Sequence, residues 1–217
     1  MVLRKLVGIF ACTLIIGAAS FATAGVPDLN LSGATAANGA TQVVLYSTPN
    51  GSGAGFAGAV AVGGGVTDAT IQLTLLDGAG APIVNYPFED LWLESGTFVD
   101  TDNPGLSGCT GGTTADGSTD AAGMTSFSVP MNAGGWSLDP SVVVVNGAPL
   151  TGSAPMPIWH NSADVNGDGN INLSDVQLFA GDFFDVSYKF RSDFVFDNIV
   201  NLSDIVPLAQ GVGSSCP

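Results

Sequence analysis

The sequence predicts a mainly β protein: an antiparallel β-sandwich followed by a small α-helical module. Three observations lead there. Residues 25–150 hold short runs of β-branched and aromatic residues bounded by Gly, Pro, Asn and Asp, with no helical period between them. A Pro-rich stretch follows. Beyond it two similar segments recur 29 residues apart, each an acceptor-rich loop leading into a helix-like run.

The chain opens on "MVLRKLVGIFACTLIIGAASFATAG". Arg4 and Lys5 precede an apolar run from Leu6 to Ala19, and Ala22-Thr23-Ala24 precede Gly25. That order is expected of a signal peptide over residues 1–24, removed on secretion. The apolar run is short for a membrane span, and no later segment approaches one. Processing leaves Lys189 and Arg191 against nineteen acids, a net charge of −17. Nucleic-acid binding needs clustered Lys and Arg and is excluded on that ground. Such a chain attracts cations instead.

The strand candidates come in order as "TQVVLYS" (41–47), "TIQLTLLD" (70–77), "FEDLWLE" (88–94), "MTSFSVP" (124–130) and "SVVVVNG" (141–147), with "FAGAVAVGG" from Phe56 a weaker one. Many short strands without intervening helices predict a sandwich over residues 25–150. "TDAAGMTSF" (119–127) resembles the TDxxGxxxF strand–turn–strand element of bacterial immunoglobulin-like surface domains, which implies an immunoglobulin-like sandwich. In it Asp120 closes an Asx turn and Gly123 supplies a positive φ. Residues 100–123 are Gly- and Thr-rich and read as a long excursion from the sandwich. In "FEDLWLE" the alternation puts Asp90, Trp92 and Glu94 on one face. That face is either a sugar-stacking Trp between acids or an edge where Trp92 packs on a loop. Pro149, Pro155 and Pro157 mark residues 151–163 as a linker, with His160, the chain's one histidine, packing beside Trp159.

The module is expected over residues 164–217. "DVNGDGNINLSD" (164–175) puts Asp or Asn at positions 1, 3, 5, 7, 9 and 12 and Gly at position 6. Ca²⁺ takes six to eight oxygens, and this spacing wraps it. Asp164, Asn166 and Asp168 would give side-chain oxygens and Asn170 its carbonyl. Asn172 would act directly or through water, and Asp175 would close the shell. The second loop keeps Asp193, Asp197, Asn201 and Asp204, with Ile199 at the carbonyl position. It has Val195 at position 3 and Asn198 in place of the glycine. The expectation is one strong Ca²⁺ site and a second that is weaker or absent. A loop with only its exiting helix, duplicated, resembles the type I dockerin module. The resemblance spans Asp164 to about Gln210 and implies a calcium-stabilised helical module that docks on a cohesin-like partner. Leu173-Ser174 and Leu202-Ser203 occupy the places where that family is read by its partner. Val176, Phe179, Ile205 and Leu208 are expected to pack the two repeats together.

Two cysteines survive processing, Cys109 and Cys216. In an oxidising compartment they are expected to pair within the chain, with pairing to another chain as the alternative. The functional expectation is a secreted, non-catalytic calcium-binding protein that attaches or assembles through its module. Its partner would be a cohesin-like protein, another extracellular partner, or itself. The alternatives are a self-associating structural subunit of a fibre or surface layer, and a carbohydrate-binding sandwich with a dockerin-like tail.

Overall fold

The computed structural model describes residues 25–96 and 103–217. The signal-peptide expectation lies outside the described residues, as does the start of the segment read as an excursion. The chain is mainly β, in several small sheets, with two α-helices near its end.

Strands β1 (Gly33–Ala36), β2 (Val43–Ser47), β3 (Ala59–Ala61), β4 (Val66–Thr67), β5 (Ile71–Thr74) and β6 (Leu91–Glu94) come first. They are followed by β7 (Gly105–Gly108), β8 (Met124–Phe127), β9 (Ala133–Trp136), β10 (Val142–Val145), β11 (Ala148–Pro149) and β12 (Ile158–Ser162). Antiparallel pairing builds three groups, ordered β1-β5-β8, β11-β10-β6 and β7-β9. The fourth, β12-β2-β3-β4, departs from the all-antiparallel expectation: β12 runs parallel to β2, with Ile158 opposite Val43 and Ser162 opposite Ser47. The pleat explains the burial. Ile71 and Leu73 of β5 and Leu91 and Leu93 of β6 point inward at alternate positions. They join Leu45, Phe56, Phe127, Val143 and Ile158 in the main core.

Several expectations need correction. Residues 88–90 form a 3₁₀ turn, so only Trp92 and Glu94 share the strand face and Asp90 leaves it. The segment read as an excursion contains β7 and buries Ala115 and Thr119. Its Asx turn forms as expected: Asp120 Oδ1 accepts from the N–H groups of Ala122 (2.8 Å) and Met124 (2.9 Å), with Gly123 at φ +73°. The stretch 151–163 is not simply a linker, because β12 occupies its second half and is buried on the sheet. Its polar residues concealed it. His160, Asn161 and Ser162 are all fully buried, against the usual preference of such side chains. They are accommodated in part: Ser141 Oγ donates to the Ile158 carbonyl at 2.9 Å and lies 2.6 Å from His160 Nε2, whereas His160 Nδ1 and Asn161 Oδ1 are buried without a partner. Burial pushes the His160 pKa down to about 3.

Helix α1 (Leu173–Phe184) and helix α2 (Ile205–Gly211) share a second core of Ala163, Val165, Ile171, Phe179, Phe194 and Leu208. Tyr46 from β2 and Trp136 from β9 pack against it, so the helices rest on the β region. Phe179 and Leu208 meet the packing expectation and Val176 is half-buried. Ile205 does not: it is 39 % exposed. It is the first residue of α2, a helix of seven residues whose buried positions are Leu208 and Gly211.

Candidate functional site

The two acceptor-rich loops are built on one plan, and the backbone writes it. Strand β12 ends one residue before the first loop, so no helix leads into it. Asp164 and Asp175 are fully buried, and so are their counterparts Asp193 and Asp204. Each first aspartate gathers the turn. Asp164 accepts from the N–H of Asp168 (3.1 Å) and of Gly169 (2.9 Å). Asp193 accepts from Asp197 (3.3 Å) and Asn198 (2.9 Å). Each last aspartate closes the loop. Asp175 accepts from Asn166 (3.2 Å) and Asn172 (2.9 Å), while Asp204 accepts from Val195 (3.2 Å) and Asn201 (2.9 Å). Even the middle repeats: the Asn170 N–H reaches Asp168 Oδ1 and the Ile199 N–H reaches Asp197 Oδ1, both at 2.9 Å.

The left-handed positions repeat too. Gly167 and Gly169 lie at φ +69° and +83°, and Phe196 and Asn198 take the matching places at +60° and +67°. Asn tolerates this region, whereas a bulky side chain is strained there. The second loop therefore keeps the shape of the first with residues less suited to it. Val195 takes the position of Asn166 and offers no side-chain oxygen, as expected.

One expected ligand has other work. Asn172 is the N-cap of α1, and its Oδ1 accepts the Ser174 N–H at 2.8 Å while Asp175 accepts the Asn172 N–H. This reciprocal cap fixes where the helix begins. Asn201 does the same for Ser203 at 2.8 Å. The exposed pairs Leu173-Ser174 and Leu202-Ser203 directly follow these two asparagines, the first pair inside α1 and the second in the turn before α2.

The electrostatics of the first loop are unbalanced. Burial pushes the Asp164 carboxyl up to about 7, and the nearby charges of Asp175 and Asp168 push in the same direction. Burial likewise raises Asp175 and Asp204. In the second loop the Tyr188 hydroxyl donates to Asp193 Oδ2 at 2.9 Å. The two basic side chains nearby are engaged elsewhere: Arg191 forks onto Asp182 at 2.7 and 2.8 Å, and Lys189 lies 3.3 Å from Asp185.

The donor set fits a hard divalent cation in the first loop, on one condition. Among the described residues no three Asp, Glu, His or Cys side chains converge into a metal cage by themselves. The shell needs Asn166 Oδ1 and the Asn170 carbonyl as well, which is the mixed oxygen set that Ca²⁺ accepts. Buried carboxylates that repel one another are the feature such a cation would offset.

Cys109 and Cys216 form the expected intrachain disulfide, with Cα atoms 5.5 Å apart. Sequence reasoning missed a cleft of about 470 Å³ between β6 and the 110–114 turn, lined by Phe88, Glu89, Trp92, Glu94, Thr110 and Thr114. Trp92 Nε1 donates to Glu94 Oε1 at 2.9 Å along it. The alternation in "DLWLE" held the signal for this pair, but nothing in the sequence put the turn opposite.

Comparison with known proteins returns no matching family model, no matching curated protein and no matching solved structure.

Proposed function

We propose that this chain is a secreted, non-catalytic calcium-binding protein that attaches to an extracellular partner through its two-loop, dockerin-like module. The observation that carries this reading is the fully buried aspartate pair of each loop, Asp164 with Asp175 and Asp193 with Asp204, held by the same hydrogen bonds. Burying like charges is costly unless something of opposite sign offsets it. Asp164, Asn166, Asp168 and Asp175, with the Asn170 carbonyl, would hold Ca²⁺ in the first loop. Asp193, Asp197 and Asp204, with the Ile199 carbonyl, would hold it more weakly in the second. When bound, calcium would supply the positive charge that lets these carboxylates stay ionised and close together.

The attachment face is argued from exposure. Ten of the nineteen exposed large hydrophobic residues among those described fall between Leu173 and Val212. Leu173 is 75 % exposed and Leu202 69 %, at matching places beside Ser174 and Ser203. Clustered apolar exposure of this kind marks a contact surface. A cohesin-like protein is the partner this face is expected to meet. The test is binding of a purified cohesin-like domain to the mature chain with calcium and with chelator. Calcium-dependent capture that the double substitution Leu173→Asp, Leu202→Asp abolishes supports the reading. Capture untouched by both treatments contradicts it, and a calcium-dependent dimer of the chain alone favours self-association instead.

The Trp92 cleft favours a second reading, a carbohydrate-binding β region. Aromatic faces with acid and hydroxyl groups at the rim suit a sugar ring. Retention on a glycan array that Trp92→Ala removes would support it.

A further inference from the structure

The first loop is also gripped from outside, on two sides. One side is the β7/β9 ribbon. The Gly135 N–H donates to the Asp164 carbonyl at 2.7 Å, and Ser107 Oγ donates to the Gly167 carbonyl at 2.7 Å. Gly134 lies so close over Asp164 that a Cβ there would collide with the carboxylate. The other side is the C-terminal tail. The Cys216 N–H donates to the Gly169 carbonyl at 2.9 Å and the Ile171 N–H to the Ser214 carbonyl at 2.9 Å, and Asn170 and Ser215 form an antiparallel bridge. Cys109 directly follows β7, so its bond to Cys216 joins the ribbon to the tail. The second loop is held by other means. Asn161 Nδ2 donates to the carbonyls of Phe190 (2.7 Å) and Asp193 (3.0 Å).

We propose that this clasp (Ser107, Gly134-Gly135 and the Cys109–Cys216 bond) positions the first cation site, so that the disulfide and calcium binding at that loop are thermodynamically coupled. The inference rests on the calcium reading above. Its physical basis is ordering. A cation must gather carboxylates that repel each other, and a loop already held between ribbon and tail gives up less freedom in doing so. Opening the bond with a dithiol yields two cysteine thiols and a cyclic disulfide of the reductant, two electrons and two protons passing to the protein. The tail is then tied to Gly169, Asn170 and Ile171 by backbone bonds alone. Coupling is reciprocal: whatever factor the bond adds to calcium affinity, calcium adds to the stability of the bond.

The test uses the full mature chain. Calcium titration by calorimetry, oxidised and then reduced with dithiothreitol, should show the tighter site weakened about tenfold or more and the weaker site unchanged. Gly134→Ala, with the disulfide intact, should weaken the same site alone. A companion measurement does not depend on the reduced chain staying folded. The thiol–disulfide equilibrium against dithiothreitol, with and without saturating calcium, should shift toward the disulfide by the same factor. Equal affinities in both redox states, or a disulfide equilibrium indifferent to calcium, overturn the coupling. An oxidised chain that binds no calcium overturns the reading on which the coupling rests.

Discussion

The two loops of the module share a backbone and differ in chemistry. Asp164 and Asp193 collect the same pair of N–H groups, and Asp175 and Asp204 close the same ring. Yet the first loop has Gly167, Gly169 and Asn166 where the second has Phe196, Asn198 and Val195. The lesson is that the shape of such a loop is set by its first and last aspartates. These act through the backbone and tolerate a poor choice at the turning positions. Ligand number is set by the residues between them. Shape and binding can therefore part company within one duplicated unit.

The comparison is broken most directly at position 5. Asp168 is exposed and Asp164 is not, so Asp168→Ala removes a ligand with little damage to packing. It should weaken the first site roughly a hundredfold or more, while Asp197→Ala should change total binding far less. Calorimetry on both variants reads this. Equal losses would mean that the loops are chemically equivalent.

Giving the second loop its missing oxygen sharpens the contrast from the other side. Val195 is 37 % exposed and its N–H already bonds to Asp204, so Val195→Asp keeps the ring and adds a ligand. Second-site affinity should rise by about tenfold, with the first site unchanged in the same titration.

The pH dependence follows from Asp164. Its folded carboxyl titrates near 7 against an ordinary value of 3.8, the shift arising first from burial. A raised folded pKa gives stability that is full below about pH 4 and lost as pH rises through about 7. In chelator this group should lower the melting temperature between pH 5 and pH 8. Calcium competes with that proton, so its stabilisation should be small at pH 5 and full at pH 8. Melting curves at the two pH values, with and without calcium, check the sign.

The smallest expected effect is at the turning positions. Asn198→Gly relieves a left-handed side-chain conformation at φ +67° and should stabilise the chain by about 0.5 kcal/mol. Gly169→Ala should do the reverse by about 1–2 kcal/mol, because it puts a Cβ at φ +83° and against Cys216 Sγ. Denaturant titration resolves both.

Much of this could be read from the residues. The runs "TIQLTLLD" and "DLWLE" located strands β5 and β6, and the alternation in the second separated Leu91 and Leu93 from Trp92 and Glu94, although Asp90 fell outside the strand. The 29-residue repeat located both loops and both helices. Two cysteines in a chain expected outside the cell left one internal pairing. What was hidden depended on distant partners. β12 is buried although it reads Ile-Trp-His-Asn-Ser, because Ser141, Phe190 and Asp193 bond to His160 Nε2 and Asn161 Nδ2 from far along the chain. Three prolines beside it suggested a linker, but Pro157 ends where β12 begins and disrupts no ladder within it. Ile205 matched Val176 in the alignment of repeats, yet it is the first residue of α2 and stays 39 % exposed, with the core closing on Leu208 instead. The clasp on the first loop was likewise out of reach, since it joins residues 107, 134 and 216 through contacts that no local pattern records.

The central claim is that the buried aspartates of the first loop belong to a calcium site. Isothermal calorimetry of the oxidised mature chain, stripped with chelator and titrated with CaCl₂ at pH 7.5, tests it most directly. The account predicts one tight site that Asp168→Ala removes, with a second event that is much weaker or missing. No heat of binding, or two equally tight sites that survive Asp168→Ala, would contradict it.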